Sequence, residues 1–467
     1  MKSPFKRLAA TAALLIAVSA AAPLETSATA APTADASTAT PIKHFVFMMQ
    51  GDRSFDNYFG MYPGADGIPA KACQRYIVTG PAADCVAPFP LHGSAPQSPG
   101  GGTVAVRNQY DGGRMDGFVA AYQNEGRDGK TTMGYYDRRD LATYWDLADQ
   151  YTLFDRFFSS TMTGQRANRN YWVAGAAAPT GTPQAIAAAY AKQVTIFDRL
   201  QASGVSWKFY VQGYDPAQNY RTVSKSNPSS QPLRVPLLNI DRFLDDPALS
   251  SHIVDMSQYY RDLVGGNLPA VSYISSSGPT ERSAHAIAGG QKLVNNLIGN
   301  LMVSKYWDSS AFMLSYDGSG GWFDHVRPPQ VDRNGYGLRV PALLVSPYVP
   351  AGKVNHTVMD YTSALAFIEH NWQVAPLASR DKSAKSLAAA FDFTSKPREP
   401  QLQIGQPQAT HAPLVSVGIV YWCYGLAAVA VLGAVAFAAL RSRRRRPAPP
   451  TEDHPVREPA QTVGADS

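Results

Sequence analysis

Residues 42–60 read IKHFVFMMQGDRSFDNYFG, a short apolar run that a polar, glycine-containing turn closes. Such a run predicts a buried strand of a parallel sheet, which carries apolar side chains on both of its faces. Three later runs share this character, and helix-like stretches lie between the runs. Because strands alternate with helices, we predict an α/β fold with a largely parallel sheet that helices cover on both faces. The other strand-like runs are 270–274, 311–316 and 340–346, and the helix-like stretches are 141–150, 185–200, 287–303 and 362–372.

The first thirty residues have the three parts of a secretory signal. Lys2, Lys6 and Arg7 precede the apolar run 8–22, and the small residues Ala28-Thr29-Ala30 follow it. A basic region, an apolar region and a small-residue cleavage site in this order predict export of the protein. We therefore expect residues 1–30 to be a signal peptide.

Residues 415–440 form a second long apolar segment, with no charged residue. The segment is long enough to cross a hydrocarbon core of roughly 30 Å. The sequence RSRRRR follows at 441–446, and a basic cluster beside a span is typical of its cytoplasmic side. The pattern predicts an ectodomain at 42–400, a linker at 401–414, one membrane helix at 415–440 and a cytoplasmic tail at 441–467.

The charge distribution argues against a nucleic-acid partner. Of the formal net charge of +6, the two terminal segments carry most and the body between them is nearly neutral. A nearly neutral body gives no basic surface for a polyanion. Cys73 and Cys85 lie twelve residues apart in the glycine- and proline-rich stretch 61–113, which we interpret as a surface insertion rather than a second core. In an oxidising compartment, the two cysteines predict a disulfide.

Two carboxylates follow the ends of predicted strands. Asp52 comes after the run at 43–49, and Asp317 comes directly after the run at 311–316. Ligands of an open parallel sheet bind outside the carboxyl ends of its strands. Carboxylates at this edge suit a divalent cation, which offsets the negative charge of phosphoryl oxygens. Asp52 and Asp317 are therefore candidate metal ligands, although aspartate is also common in ordinary turns.

At these residues the sequence resembles the bacterial phosphoesterase family that includes phosphatidylcholine-type phospholipases C and a group of acid phosphatases, within the alkaline phosphatase superfamily. Residues 42–60 resemble the family's opening strand and its Gln-Glu-Asn-Arg-Ser-Phe-Asp motif. Five blocks occur in the family's order, and the resemblance implies an α/β/α sandwich with a mostly parallel sheet. The other blocks are 114–118 (RMDGF), 133–149, 315–329 (SYDGSGGWFDHVRPP) and the last strand and helix at 340–347 and 360–369.

The resemblance implies a metal-assisted phosphoester hydrolase, but several of the family's site positions differ here. Its adjacent metal ligands Glu and Asn correspond to Gly51 and Asp52, and its Asp-Glu pair corresponds to Asp317 and Gly318. Its nucleophilic Thr or Ser aligns with Gln165. An amide cannot act as that nucleophile, because it has no ionisable oxygen to attack phosphorus.

The remaining candidates carry over from the same blocks. Thr163 is the nearest hydroxyl to the nucleophile position. His285 resembles the family's site histidine, with Ala284 in place of a Glu, and is a candidate catalytic residue together with His325. Asp360 resembles the Asp of an Asp-His pair and is a third candidate metal ligand. His325 follows Asp324 in the block at 315–329, either near the metal site or as a donor to a backbone carbonyl that holds the Gly-Gly turn.

Two functions remain open from the sequence. The first is an exported phosphoric ester hydrolase that uses a divalent metal cation of unknown identity and Thr163 as nucleophile. The second is a catalytically silent ectodomain that binds a phosphorylated ligand, a glycan or a protein in the same cleft, or serves as a membrane-tethered scaffold. Arg166 and Arg169 are candidates to clamp an anion in either case, and otherwise form a surface pair on a loop.

Overall fold

The computed structural model describes residues 37–76, 85–92, 98–100, 102–276, 281, 286–401 and 433. The chain divides into two units, residues 1–406 and 407–467. The predicted signal peptide, His285, the tail and the predicted membrane span apart from Gly433 lie outside the described residues. Among the residues described, no helix has both the length and the apolar character needed to cross a membrane.

The described chain is built around a sheet of eight strands in the order β12-β6-β11-β10-β1-β9-β7-β8. Two small two-stranded sheets, β2 with β3 and β4 with β5, lie outside it. The strands are β1 His44–Gln50, β2 Gln74–Arg75, β3 Cys85–Val86, β4 Phe89–Pro90, β5 Gly134–Tyr135, β6 Thr152–Phe154, β7 Trp207–Val211, β8 Ile253–Asp255, β9 Val271–Ser275, β10 Ser310–Tyr316, β11 Ala342–Val345 and β12 Lys353–Asn355.

Fourteen α-helices connect these strands in the described ranges. The helices are α1 Phe55–Phe59, α2 Thr103–Tyr110, α3 Phe118–Gln123, α4 Ala142–Gln150, α5 Gln165–Ala174, α6 Pro183–Lys192, α7 Ile196–Ala202, α8 Gln231–Arg234, α9 Arg242–Asp245, α10 Pro247–Ser250, α11 Ser257–Gly265, α12 Ile287–Met302, α13 Tyr361–Asn371 and α14 Ser379–Ser383.

Helices pack on both faces of the central sheet. On one face, Phe45 of β1 contacts Phe367 of α13, with ring centroids 5.2 Å apart, and Phe47 contacts Trp172 of α5 at 5.6 Å. Gln50 pairs with Tyr316 in the register of β1 and β10, so Tyr316 points to the opposite face, where its ring contacts Tyr58 of α1 at 5.6 Å. The predicted α/β class with a mostly parallel sheet is confirmed, and the helix packing gives a three-layer α/β/α arrangement.

One strand inside the sheet, β11, runs against its two neighbours. β11 is antiparallel to both β10 and β6, whereas the other five strand pairs of the sheet are parallel. The single helix predicted at 185–200 is wrong, because the structure has α6 and α7 there. Thr195 begins α7 as an N-cap: its side chain accepts from the Asp198 backbone, and the Asp198 carboxylate accepts from the Thr195 backbone. This capping box ends the preceding segment and starts a new helix.

The insertion at 61–113 contributes one buried side chain to a small second cluster, most of whose buried members lie outside the insertion. Val106 packs in a separate cluster with Phe118 and Phe323, and the partly buried Ile68 and Val86 join this cluster. Cys73 and Cys85 form the predicted disulfide, with their Cα atoms 5.7 Å apart. Hydrogen bonds from Ser98 Oγ and from the Gly100 backbone to the Gly320 carbonyl hold the insertion against the turn that follows β10.

Candidate functional site

The carboxyl ends of β1 and β10 bring two buried carboxylates together. Because β1 and β10 are parallel neighbours and Gln50 pairs with Tyr316, the residues that follow them meet at one edge of the sheet. The Asp52 backbone N–H donates to Asp317 Oδ1 at 3.3 Å. The two side chains are 4% and 3% exposed. The predicted proximity of Asp52 and Asp317 is therefore correct.

The backbone around Asp52 is adapted to this close approach. Asp52 has a φ of 58°, a left-handed conformation that costs free energy for a residue with a Cβ. Gly320 packs directly against it, and a Cβ on Gly320 would lie 2.7 Å from both Asp52 Cβ and Asp52 O. A glycine at 320 is thus needed for the turn after β10 to reach the turn after β1.

Helix α5 places an amide group between the two carboxylates. Gln165, the first residue of α5, donates from Nε2 to Asp52 Oδ1 at 2.5 Å and to Asp317 Oδ1 at 3.3 Å. Asn168, one turn later on the same face of α5, donates to the Asp317 backbone carbonyl at 3.0 Å. Gln165 is thus a hydrogen-bond donor to both carboxylates.

Arg169 supplies a positive charge to the same pair. Its Nε donates to Asp317 Oδ2 at 2.7 Å, and both side chains are almost fully buried. Its Nη1 donates to the Arg234 carbonyl at 2.9 Å and to Ser275 Oγ at 3.2 Å. A buried guanidinium with its donors satisfied in this way neutralises one carboxylate, and removal of either partner would leave a buried unpaired charge.

The space at the carboxylate pair is small. We call it the cleft: it has a volume of about 20 Å³, roughly one water, and Thr161 and Ser319 line it together with Asp52, Gln165 and Asp317. A divalent cation here needs oxygen ligands, but the amide of Gln165 presents N–H groups to both carboxylates and Arg169 binds the second oxygen of Asp317. As arranged, the residues of the cleft do not fit a resident divalent cation.

A second buried carboxylate group lies around Arg339. Asp56, Asp324 and His325 place ligand atoms within 4.8 Å of one another, which is a spacing that metal sites use. The guanidinium of Arg339 already binds both acids, through Nη2 to Asp56 Oδ1 and Nε to Asp324 Oδ1, each at 2.9 Å. An arginine thus provides the positive charge that a metal would supply here.

The protonation of this group follows from its burial and its charges. Burial raises the pKa of Asp324 to about 6, although the Arg339 charge opposes the shift. Burial alone would lower the pKa of His325, but the hydrogen bond and the charge of Asp56 outweigh it and raise that pKa. His325 Nδ1 lies 2.7 Å from Asp56 Oδ2, so its partner is a carboxylate rather than the backbone carbonyl considered from sequence.

A third group with metal-like spacing lies near the surface. His92, Asp137 and Asp140 also come within 4.8 Å, and His92 Nδ1 lies 2.8 Å from Asp140 Oδ2. Arg139 binds both Asp137 and the other ring nitrogen of His92. Acidic and histidine groups of the metal-binding type are therefore present in the described chain, but an arginine already binds at least one member of each.

Neither Thr163 nor Asp360 lines the cleft. Thr163 is exposed, and its hydroxyl bonds to Thr161 Oγ1 at 3.1 Å. Asp360 caps α13 by accepting from the backbone and hydroxyl of Thr362, and burial raises its pKa. The roles of Thr163, Asp360 and His285 stay predictions, the last because His285 lies outside the described residues.

A much larger cavity opens on the other side of the first turn of α5. Its volume is about 940 Å³, and Thr163, Arg166, Tyr171, Arg333 and Arg380 are among its lining residues. Arg166 therefore faces this cavity while Arg169 faces Asp317, so the structure separates the two arginines that we expected to act as one clamp. We call it the arginine cavity.

Sequence reasoning missed several of the residues that matter here. Arg339, Arg333 and Ser319 carried no motif signal of their own, and Arg339 precedes an apolar strand, where a charged residue indicates a buried ion pair. Gln165 was recognised as a substitution, but its contacts to Asp52 and Asp317 depend on how α5 approaches the sheet.

Comparison with known proteins identifies relatives. The profile of the Phosphoesterase family matches residues 42–375. Phospholipase C A of Mycobacterium tuberculosis is 28% identical over 427 residues, covering 79% of this chain and 80% of the relative. Non-hemolytic phospholipase C of Pseudomonas aeruginosa is 26% identical over 425 residues, covering 77% of this chain and 58% of the relative. An alkaline phosphatase superfamily protein from Vibrio parahaemolyticus aligns structurally over 72% of this chain and 68% of its own, at 11% identity with a TM-score of 0.36.

Proposed function

This chain belongs to the Phosphoesterase family, and we propose that it recognises a phosphoester ligand without hydrolysing it. The observation that carries the proposal is the amide of Gln165, which donates to both Asp52 and Asp317. It stands where the family has its nucleophile, and it occupies the space between the two carboxylates.

Hydrolysis through a covalent intermediate needs a nucleophilic oxygen and stabilisation of the charge that develops on phosphorus. Gln165 supplies no such oxygen. Its N–H groups bind oxygens of Asp52 and Asp317 that a cation would need, and the guanidinium of Arg169 neutralises one of the two carboxylate charges. A phosphoester, itself an anion, gains nothing from Asp52 and Asp317, so its binding must rely on other positive groups of the protein.

Hydrolysis of phosphoric esters is the second candidate function. Two hydroxyl groups, those of Thr161 and Ser319, line the same cleft as Asp52 and Asp317. The relatives described above are phospholipases C, which favours this reaction class. In this case, Thr161 or Ser319 rather than Gln165 would attack phosphorus.

We expect the purified full chain to show no turnover of an aryl phosphate or of a phosphocholine diester with Mg²⁺, Mn²⁺, Ca²⁺ or Zn²⁺ added. Its rate should equal that of the Asp52→Asn, Asp317→Asn double variant, which lacks the carboxylate charges. The measurement is release of aryl alcohol or phosphocholine together with elemental analysis for bound metal. Turnover that disappears in Thr161→Ala or Ser319→Ala would establish the hydrolase instead.

The proposal also includes export and anchoring. The signal-like residues 1–30, the apolar segment 415–440 and the Cys73–Cys85 disulfide support a body outside the membrane and a tail in the cytoplasm. We expect the full chain to remain with membranes after cell fractionation, and a chain that ends at His411 to be released in soluble form. Retention of the shortened chain in the membrane fraction would contradict the anchoring segment.

A further inference from the structure

The arginine cavity has the size and the lining of a ligand site. Its volume of about 940 Å³ lies within the range of small-molecule pockets. Backbone and small side chains at 175–180 form one wall, and polar side chains from α5, from the loop 332–334 and from α14 form the others. The walls combine charged and hydroxyl groups with alanine and proline side chains, so the cavity accommodates a small molecule that carries a polar group.

The charge of the cavity is positive. Asp332, its one lining carboxylate among the described residues, is bound by Arg380 through two hydrogen bonds of 2.7 and 2.9 Å. Burial alone would raise the pKa of Asp332, but Arg380 and the backbone N–H groups of Asn334 and Gly335 lower it. Arg380 also lies 3.7 Å from the carboxylate of the buried Asp360, so it adds no net positive charge to the cavity. The positive charges of the lining are those of Arg166 and Arg333.

These two arginines are exposed and have no carboxylate partner in the described part of the chain. Arg166 makes a long hydrogen bond of 3.4 Å to the neutral Asn239, and no ion pair of Arg333 is found among the described residues. The Asp332–Arg380 pair holds the loop that carries Arg333, because Asp332 Oδ1 also accepts from the Asn334 and Gly335 backbones at 2.8 and 3.1 Å. Arg166 and Ala167 belong to the first turn of α5, whose positive dipole end favours an anion.

We propose that the arginine cavity is the phosphoester site of this protein, and that Arg166 and Arg333 bind the phosphate group. This inference rests on the proposed function and gives it a location. Arginine suits the role because its planar guanidinium can donate two parallel hydrogen bonds to phosphate oxygens. Thr163, which lines the cavity, provides a further donor at its edge.

The lining also selects against a cationic ligand group. Arg380 lies over the ring of Tyr171, at 4.7 Å from its centroid, and Tyr171 is the aromatic residue that lines the described cavity. A trimethylammonium group needs an open aromatic face, which Arg380 covers here, and it would be repelled by Arg166 and Arg333. The preferred ligand is therefore a phosphoester with an uncharged polar remainder, such as glycerol phosphate, rather than phosphocholine.

Calorimetric titration of the purified full chain with glycerol phosphate tests the site. We expect one saturable site, tighter binding of glycerol phosphate than of phosphocholine, and about tenfold weaker binding in Arg166→Gln and in Arg333→Gln. Arg261→Gln, on the exposed surface of α11, is the matched control and should keep the original affinity. Unchanged affinity in both cavity variants would overturn the inference, as would preference for phosphocholine.

Two further measurements separate this inference from the proposed function. If Asp52→Asn abolishes binding while the cavity variants bind normally, the ligand lies in the cleft, and the inference fails while the proposed function stands. If the chain hydrolyses glycerol phosphate and Arg333→Gln still loses binding, the ligand lies in the arginine cavity. In that case the proposal that the protein binds a phosphoester without hydrolysing it is contradicted.

A short-chain phosphatidylglycerol, titrated below its micelle concentration, distinguishes the two sources of the phosphate group. Tighter binding than that of glycerol phosphate assigns a lipid headgroup to the arginine cavity. If phosphatidylglycerol binds as tightly as glycerol phosphate or more weakly, the ligand of the cavity is a soluble phosphoester. Either result supports binding in the arginine cavity, provided that Arg166→Gln and Arg333→Gln weaken that binding.

Discussion

Replacing Arg339 by leucine should lower the free energy of unfolding by about 3–5 kcal/mol. Arg339 is fully buried and binds Asp56 and Asp324, which are themselves buried. It also donates from Nη1 to the carbonyls of Asp66 and Asp155, each at 2.8 Å. Leucine retains the apolar volume but leaves two carboxylates and two carbonyls in the interior without their donor, so the desolvation cost of these groups is no longer offset.

The measurement is urea unfolding of the full chain and the variant. Arg333→Leu is the control, since Arg333 is exposed in the preceding turn, and we expect its unfolding free energy to change by less than about 0.5 kcal/mol. A loss of under 1 kcal/mol for Arg339→Leu would show that the carboxylates find other partners.

The loss of unfolding free energy in Arg339→Leu should also depend on pH. Without the guanidinium, burial keeps the pKa of Asp324 above its unfolded value, as it already does with Arg339 present, where the pKa is about 6. A carboxyl with a raised folded pKa loses stability as the pH rises from its unfolded pKa through its folded one. The free energy of unfolding of the variant should therefore differ less from that of the original chain at pH 5 than at pH 8. Asp324→Asn in the same chain should recover part of the loss at pH 8.

The second large effect concerns the cleft. A variant with Gly51→Glu, Gly318→Glu and Gln165→Thr should bind a divalent cation about 10- to 100-fold more tightly than the original chain. The two glutamates add anionic oxygens beside Asp52 and Asp317, and the threonine removes the amide that donates to both. Position 318 has room for a side chain, because the nearest atom to a Cβ there is Asn168 Nδ2 at 4.0 Å.

Hydrolysis of an aryl phosphate should appear only when Gln165→Thr is present, since the glutamates bring a cation but no nucleophile. The measurements are Mn²⁺ titration by calorimetry and release of the aryl alcohol. The control is Gly318→Gln in place of Gly318→Glu, which has the same size without the charge. If the triple variant binds no more metal than the original, then Gly51 and Gly318 do not face the cation position, and our alignment at those residues is wrong.

Local sequence determined four of the eight strands of the central sheet, and β6, β7, β8 and β12 were not among the predicted runs. The apolar runs at 43–49, 270–274 and 311–316 became β1, β9 and β10 with shifts of at most one residue, because a continuous apolar run between turns is stable only as a buried strand in this context. Asp52 and Asp317 were predicted to be neighbours for a related reason, since parallel strands bring their carboxyl ends to one edge. The disulfide also followed from residue types and compartment.

The tertiary structure alone decided which groups face the two carboxylates. Gln165 and Arg169 reach Asp317 because they share one face of α5, whereas Arg166, one position further round the helix, faces the arginine cavity. Neighbours in sequence thus serve different sites, and only the packing of α5 against the sheet distinguishes them. The partnership of Arg339 with Asp56 is equally beyond local pattern, because the two residues are 283 positions apart. Electrostatic partners in the interior depend on through-space distance and desolvation, which the order of residues along the chain does not specify.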